Sequence, residues 1–66
     1  MHVEPRMTPA EMEALVRAEK DAKLANRYRA VARAMRGRTA TEAAEDVCAS
    51  RRSVQAWVRR FNEGGI

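Results

Sequence analysis

The sequence predicts an all-α protein, a small three- to four-helix bundle that contains a helix-turn-helix. Apolar residues recur three and four positions apart along several segments, which is the spacing of one face of a helix. Capping residues precede these segments, glycines follow them, and no segment alternates with the period of a strand. A chain of 66 residues buries only about 60% of its unfolded surface, so we expect one small core.

The first helix is expected over residues 9–19, because a capping box precedes its apolar stripe. In that box the Thr8 hydroxyl accepts a first-turn amide, and Glu11 reaches back to the cap. The preceding residues 1–7 show no periodic pattern, so they are expected to form a flexible N-terminal tail. The domain itself is then expected over residues 8–66.

The second helix is expected over residues 22–36, with Asp21 as its N-cap and Gly37 just past its end. One face carries four large apolar residues at intervals of four, three and four: Leu24, Tyr28, Val31 and Met35. The break before this helix, around Lys20, carries only weak signals. A single continuous helix through the first two segments therefore stays open.

Two further helices are expected over residues 40–47 and 51–62. A second capping box, from Thr39 to Glu42, starts the first of them, and Ser50 caps the other. The last helix carries apolar residues at i, i+3, i+4 and i+7, all expected in the core: Val54, Trp57, Val58 and Phe61. Only three residues separate these two helices, which is the sequence shape of a helix-turn-helix.

The positive charge, +4 in total, is concentrated in two blocks. Residues 22–38 carry six basic and no acidic side chains, and residues 51–66 carry four arginines against one glutamate. This distribution favours a polyanionic partner, nucleic acid first and an acidic membrane second. The capping boxes and glycine stops favour a packed fold over a membrane-bound peptide, so we expect no membrane partner.

The chain offers few residues for catalysis or metal binding. Its one cysteine, Cys48, cannot form an internal disulfide, and its one histidine, His2, has no ligand partners nearby. No Cys-His or Ser-His-Asp arrangement is present, so we expect no enzyme activity, cofactor, metal or small-molecule substrate. The lone cysteine, together with the lack of a long apolar run or secretion signal, predicts a cytoplasmic location.

A helix-turn-helix places its second helix in the major groove of double-stranded DNA, so the helix after Ser50 is the expected reading element. Its polar side provides the expected contacts with base edges: Arg51, Arg52, Ser53, Gln55, Ala56 and Arg59. Arginine pairs with both acceptors of guanine, and glutamine pairs with adenine. Contacts with DNA phosphates are expected at two helix starts and two further arginines: Arg38, Thr39, Ser50 and Arg60.

The stretch from Arg27 to Ile66 resembles the N-terminal DNA-binding region of mariner-like insertion-sequence transposases. The matching residues are the helix up to Arg36, then Gly37, Thr39, Glu42, Ala44 and the run from Ser50 to Gly65. The run from Met7 to Glu11 also fits the opening of such proteins, so the resemblance covers nearly the whole chain from Met7 onward. The resemblance implies a homeodomain-like domain that binds the inverted repeats at transposon ends. Such a domain is expected to associate with the bacterial nucleoid in the cytoplasm. In that family an acidic-triad nuclease domain follows. This sequence stops at Ile66, so we expect no strand transfer from it.

The sequence departs from the family pattern at one turn residue and along one helix. Cys48 stands at a turn position usually held by glycine, which puts a left-handed turn residue in doubt. The third helix is rich in alanine where larger aliphatic residues are common. Two outcomes stay open there: loose packing, or packing that a second chain completes.

Other functions also stay open. The apolar stripe from Leu24 to Met35 fits a small protein-interaction module in which two copies pair, and a homodimer would suit DNA with paired half-sites. An autonomous transcriptional regulator would use the same last helix. The sequence leaves open the DNA target, the oligomeric state, the role of Cys48, and whether the chain is a fragment of a longer transposase.

Overall fold

A computed structural model describes residues 2–64, which form four α-helices and no strand. The helices are α1 (Pro9–Ala18), α2 (Ala22–Met35), α3 (Ala40–Asp46) and α4 (Arg51–Asn62). The predicted all-α bundle is confirmed. Of the two glycines expected to end the last helix, Gly64 has a φ of +100°, and Gly65 lies outside the described residues. Across that described range, no helix is long and apolar enough to cross a bilayer.

Both expected capping boxes form. At the start of α1 the Glu11 amide donates to the Thr8 hydroxyl at 3.1 Å, and the Thr8 amide donates to the Glu11 carboxylate at 2.8 Å. At the start of α3 the same two bonds join Thr39 and Glu42 at 3.1 and 2.9 Å. Each box satisfies two amides that no helix carbonyl can reach, so the helices begin where the sequence predicts.

Helices α1 and α2 are separate, because the backbone between them is extended. Glu19 has a ψ of 125°, outside the helical range. The Asp21 carboxylate then accepts the amides of Lys23 and Leu24 at 2.9 and 3.4 Å, which starts α2 afresh. The alternative of one continuous helix is therefore wrong, and the break allows α1 to pack back against α2.

Helices α2 and α3 end in the same way, with one residue in the left-handed conformation. After α2, Gly37 has a φ of +91°, and the amide of the next residue donates to the Arg33 carbonyl at 3.1 Å. After α3, Cys48 has a φ of +56°, and the following amide donates to the Ala44 carbonyl at 2.9 Å. Both ends are Schellman motifs. The doubt about the turn is therefore removed: cysteine itself adopts the left-handed conformation.

Helix α2 lies at the centre of the bundle and packs against each of the other three helices, while α3 also packs against α4. The largest fully buried side chains come from three helices: Met12, Val31, Val54 and Phe61. On α3, Ala43 and Ala44 are buried at 0% and 4% exposure. Their small side chains permit close approach, so the packing of α3 is completed within this chain and needs no second copy.

The apolar stripe of α2 also faces the chain's own core. Val31 is fully buried, and Tyr28 and Met35 pack partly buried against the core. Leu24 at the start of the helix is half-buried. The stripe expected to pair two copies of the chain is therefore largely covered by the chain's own helices. The structure therefore gives no support to the alternative in which this stripe pairs two copies of the chain.

The segment that precedes α1 lies against the end of α4. Val3 and Met7 pack against the core. The Asn62 side chain donates to the His2 carbonyl at 3.1 Å and accepts the Glu4 amide at 2.8 Å. Residues 2–7 are docked against the bundle, where a flexible tail was expected over residues 1–7, and Met1 lies outside the described residues. The sequence gives no sign of this docking, because two isolated apolar residues and one asparagine form no periodic pattern.

Arg6 completes the attachment of this segment. Its guanidinium donates to the Phe61 carbonyl and lies 4.3 Å from the centroid of the Phe61 ring. The Phe61 carbonyl also accepts the Gly64 amide at 3.1 Å, and a cation at the C-terminal end of a helix interacts favourably with the helix dipole. Arg6 therefore stabilises the C-terminal end of α4.

Two ion pairs use the basic residues at the end of α2. Arg36 donates through Nε and Nη2 to the two carboxylate oxygens of Glu13 on α1, at 2.7 and 2.8 Å. Arg33 donates to Asp46 at the end of α3 at 3.1 Å. The hydrogen bond from Arg36 lowers the pKa of the Glu13 carboxyl below its ordinary value. These pairs join α2 to α1 and to α3.

We predict opposite effects from substitutions at the two left-handed positions. Gly37→Ala should lower the free energy of unfolding by about 1 kcal/mol, because an L-residue is strained in this conformation. Cys48→Gly should raise it by about 0.5–1 kcal/mol, since the strain is relieved. Urea unfolding measures both, with Cys48→Ala as the matched control. If the Cys48→Gly chain is less stable than the Cys48→Ala chain, residue 48 does not have the left-handed conformation.

A second prediction concerns pH. Because folding lowers the pKa of Glu13, its stabilising effect is present above the ordinary carboxyl pKa and is lost as the pH falls through the lowered value. Glu13→Gln should therefore lower the melting temperature at neutral pH and leave it unchanged in strong acid. Glu45→Gln, which alters an exposed carboxylate, is the control. If the difference in melting temperature between wild type and Glu13→Gln persists at a pH where the Glu13 carboxyl is protonated, the ion pair with Arg36 is not its cause.

Candidate nucleic-acid interface

Helix α4 has one side buried in the core and the other exposed. Val54, Val58 and Phe61 are 0%, 3% and 1% exposed, and they hold the helix against α2 and α3. The opposite side carries six exposed residues: Arg51, Arg52, Gln55, Ala56, Arg59 and Arg60. Five of the six residues expected to contact bases are thus exposed on α4. The sixth, Ser53, is half-buried.

The four arginines of α4 form no ion pair with any carboxylate of residues 2–64. They therefore contrast with Arg33 and Arg36 of α2, both of which are paired inside the bundle. Exposed guanidinium groups without an internal partner contribute little to stability. Their hydrogen-bond donors stay available to a ligand rich in acceptors.

The start of α4 differs from the starts of α1 and α3. The Ser50 hydroxyl accepts the Ser53 amide at 3.1 Å and donates to the Ser53 hydroxyl at 3.0 Å. The third position holds serine instead of glutamate, and the first turn holds no acidic residue. No carboxylate therefore offsets the positive end of the helix dipole. Ser50, expected to contact a phosphate, lies where an anion is favoured.

Two other residues expected to contact phosphates lie before α3. Arg38 is exposed just after the turn at Gly37. Thr39 is exposed as well, but its amide already donates to the Glu42 carboxylate. That amide cannot serve a phosphate unless the capping box opens, so the role expected for Thr39 is limited to its hydroxyl hydrogen. Arg60, the fourth residue expected at a phosphate, is exposed on α4.

Trp57 marks the edge of this exposed side. It was expected in the core, and it does pack against the core, but it is only half-buried. The Arg27 guanidinium of α2 lies 5.8 Å from the centroid of its ring. Together with Arg59, Arg60 and Glu63 they line a groove of about 360 Å³. Arg27 was not among the residues expected at this site, and its one sign in the sequence is the acid-free basic block on α2.

A second groove lies on the other flank of α4, where the docked N-terminal segment meets the helix. His2 lines it together with Gln55, Arg59 and Asn62. The sequence places no metal-ligand partners near His2, and the structure brings it beside Gln55 and Arg59, two residues expected to contact bases. Residues 2–64 contain no group of three or more His, Cys, Asp or Glu side chains placed to hold a metal ion.

Comparison with known families supports the helix-turn-helix. A family model described as a homeodomain-like domain matches residues 21–66, which is more than half of the chain. The match begins at Asp21, the N-cap of α2, so it covers α2, α3 and α4 and leaves α1 outside. No curated protein matches the chain at a significant level. No solved structure does so either.

Proposed function

The chain belongs to the homeodomain-like domain family, and from this premise we propose that it binds double-stranded DNA with α4 in the major groove. One observation carries the proposal: four exposed arginines without internal partners lie on the outer side of a helix whose inner side is buried. Helix-turn-helix folds present such a helix to DNA. The net charge of +4 favours a polyanion as the partner.

We propose that the first two turns of α4 distinguish the bases. Residues near the start of a recognition helix reach base edges, which favours Arg51, Arg52 and Gln55. Arginine recognises guanine and glutamine recognises adenine through paired hydrogen bonds, while the Ala56 methyl group suits the methyl group of thymine. Arg59 lies about one turn further along and is assigned to a base at the edge of the site.

The resemblance to mariner-like transposases supports a narrower proposal, in which the target is the inverted repeat at a transposon end. In this account the domain binds DNA, and another part of the machinery performs the chemistry. An autonomous transcriptional regulator would use the same surface and differ only in its target. A module devoted to protein pairing is disfavoured, because Val31 and its neighbours on the α2 stripe pack inside the bundle.

Selection of duplexes from a random-sequence pool tests this function. We expect wild type to enrich one motif and to bind it more weakly as salt increases, since phosphate contacts release counterions. Failure to enrich any motif would contradict sequence-specific binding. Binding that ignores salt would contradict the proposed contacts with phosphates. If the enriched motif matches the terminal repeats of a mobile element, this would favour the transposase-like target over an operator.

We predict that Arg52→Ala and Gln55→Ala relax the preference for the selected motif. Each lost base contact should reduce discrimination between the motif and a mutated duplex by about 1–3 kcal/mol. Fluorescence anisotropy with the two duplexes measures the difference. Arg17→Ala, which removes an exposed arginine from α1, is the matched control and should leave discrimination unchanged. An equal loss on both duplexes would reassign Arg52 or Gln55 to the phosphates.

A further prediction separates the cap of α4 from its contact with DNA. Asparagine and aspartate are both good N-caps, so Ser50→Asn and Ser50→Asp should leave the folded state intact. Only aspartate adds a negative charge where a phosphate is expected. Ser50→Asp should therefore weaken binding several-fold relative to Ser50→Asn, and more strongly at low salt. Equal affinities of these two variants would place the DNA backbone away from this helix start.

A further inference from the structure

The first two turns of α2 carry basic side chains that the bundle does not neutralise. Lys23 is exposed and Arg27 is half-buried, and neither forms an ion pair with a carboxylate in the described part of the chain. At the other end of the same helix, Arg33 and Arg36 are both paired. The basic block of α2 therefore divides into a paired end, which joins helices, and an unpaired end.

The unpaired end lies beside α4, with Trp57 between the two helices. The Arg27 guanidinium lies 5.8 Å from the centroid of the Trp57 ring. These two residues line a groove together with Arg60 of α4. They also line another groove, separate from the one beside His2. This groove includes Lys23, Asn26 and the turn between α3 and α4. Because both grooves share Arg27 and Trp57, they form one basic strip along the flank of α4.

The chemistry of this strip suits a phosphate group. Among the residues that line the two grooves, the only acidic one within the described range is Glu63. The side-chain oxygen Oδ1 of Asn26 already accepts a hydrogen bond from the Arg29 guanidinium at 2.8 Å, so the side-chain NH₂ group of Asn26 remains as a donor. The indole ring restrains the Arg27 guanidinium, and an arginine fork matches the oxygens of a phosphate.

We propose that Lys23, Asn26 and Arg27, named here the α2 shelf, bind the sugar-phosphate strand that borders the major groove holding α4. This inference rests on the proposed function. A helix with its side chains is about 10–12 Å wide and fills a major groove about 12 Å wide, so a backbone strand runs along each flank. Arg27 shares a groove with Arg59 and Arg60 of the exposed side, which places the shelf at that flank.

The salt dependence of DNA binding tests the α2 shelf. Each lost phosphate contact reduces the slope of log affinity against log salt by about 0.9, which corresponds to roughly eightfold weaker binding at 0.1 M salt. We expect this change for Arg27→Gln on both specific and random duplexes. Arg27→Lys keeps the charge and should retain the slope. Arg17→Gln removes the same charge from α1 and should leave the slope unchanged.

Trp57 supplies a second readout, because it is the one tryptophan of the chain. A DNA strand on the α2 shelf would cover the exposed part of its ring. We expect the duplex to protect the fluorescence of wild type from quenching by acrylamide. Circular dichroism of Arg27→Gln confirms that the variant is folded before its affinity is compared.

The outcomes separate the two proposals. In one outcome, wild type binds DNA while Arg27→Gln keeps the full salt slope and acrylamide still quenches Trp57. That result would overturn the proposal that the α2 shelf binds the DNA backbone, and it would leave the proposed role of α4 intact. If Arg17→Gln loses as much slope as Arg27→Gln, the effect reflects net charge alone and the shelf is again overturned. If wild type binds no duplex, the proposed function fails and the shelf fails with it.

Discussion

The structure depends on the attachment of α4 through its inner side. Val54, Val58 and Phe61 are buried against α2 and α3, and each fully buried side chain of this kind contributes about 1.5–3 kcal/mol. The exposed arginines on the other side contribute little to stability. The two sides of one helix therefore serve separate purposes, and the outer side can present charge without weakening the fold. Arg6 and Asn62 add a second attachment at the end of the helix.

The arginines differ in the partners they have inside the bundle. Arg33 and Arg36 lie near Asp46 and Glu13 and join α2 to its neighbouring helices. Arg27 lies instead against an aromatic ring, which restrains the guanidinium but leaves its charge unneutralised. Total charge alone does not distinguish these cases. The positions of the few carboxylates decide which part of a basic surface remains available to a polyanion.

Local signals explain why the helices could be predicted from the sequence. A capping box such as Thr8 to Glu11 acts within one turn, so its residues alone determine where a helix begins. Contacts between distant residues have no such signal: Asn62 bonds to the backbone of His2, 60 positions away. The contact of Arg27 with Trp57 was missed for the same reason. The exposed side of α4 was predictable, since helical spacing identifies the buried side and leaves the remainder.

In the proposed complex, the outer side of α4 enters the major groove of DNA while its inner side stays in the core. Titration of a selected duplex into ¹⁵N-labelled protein, followed by NMR, tests this most directly. We expect the largest changes in the signals of the exposed residues of α4, which are Arg51, Arg52, Gln55, Arg59 and Arg60. The signals of α1 and of Val31 in the core should move little. Changes concentrated on α1, with α4 unaffected by saturating DNA, would contradict this arrangement.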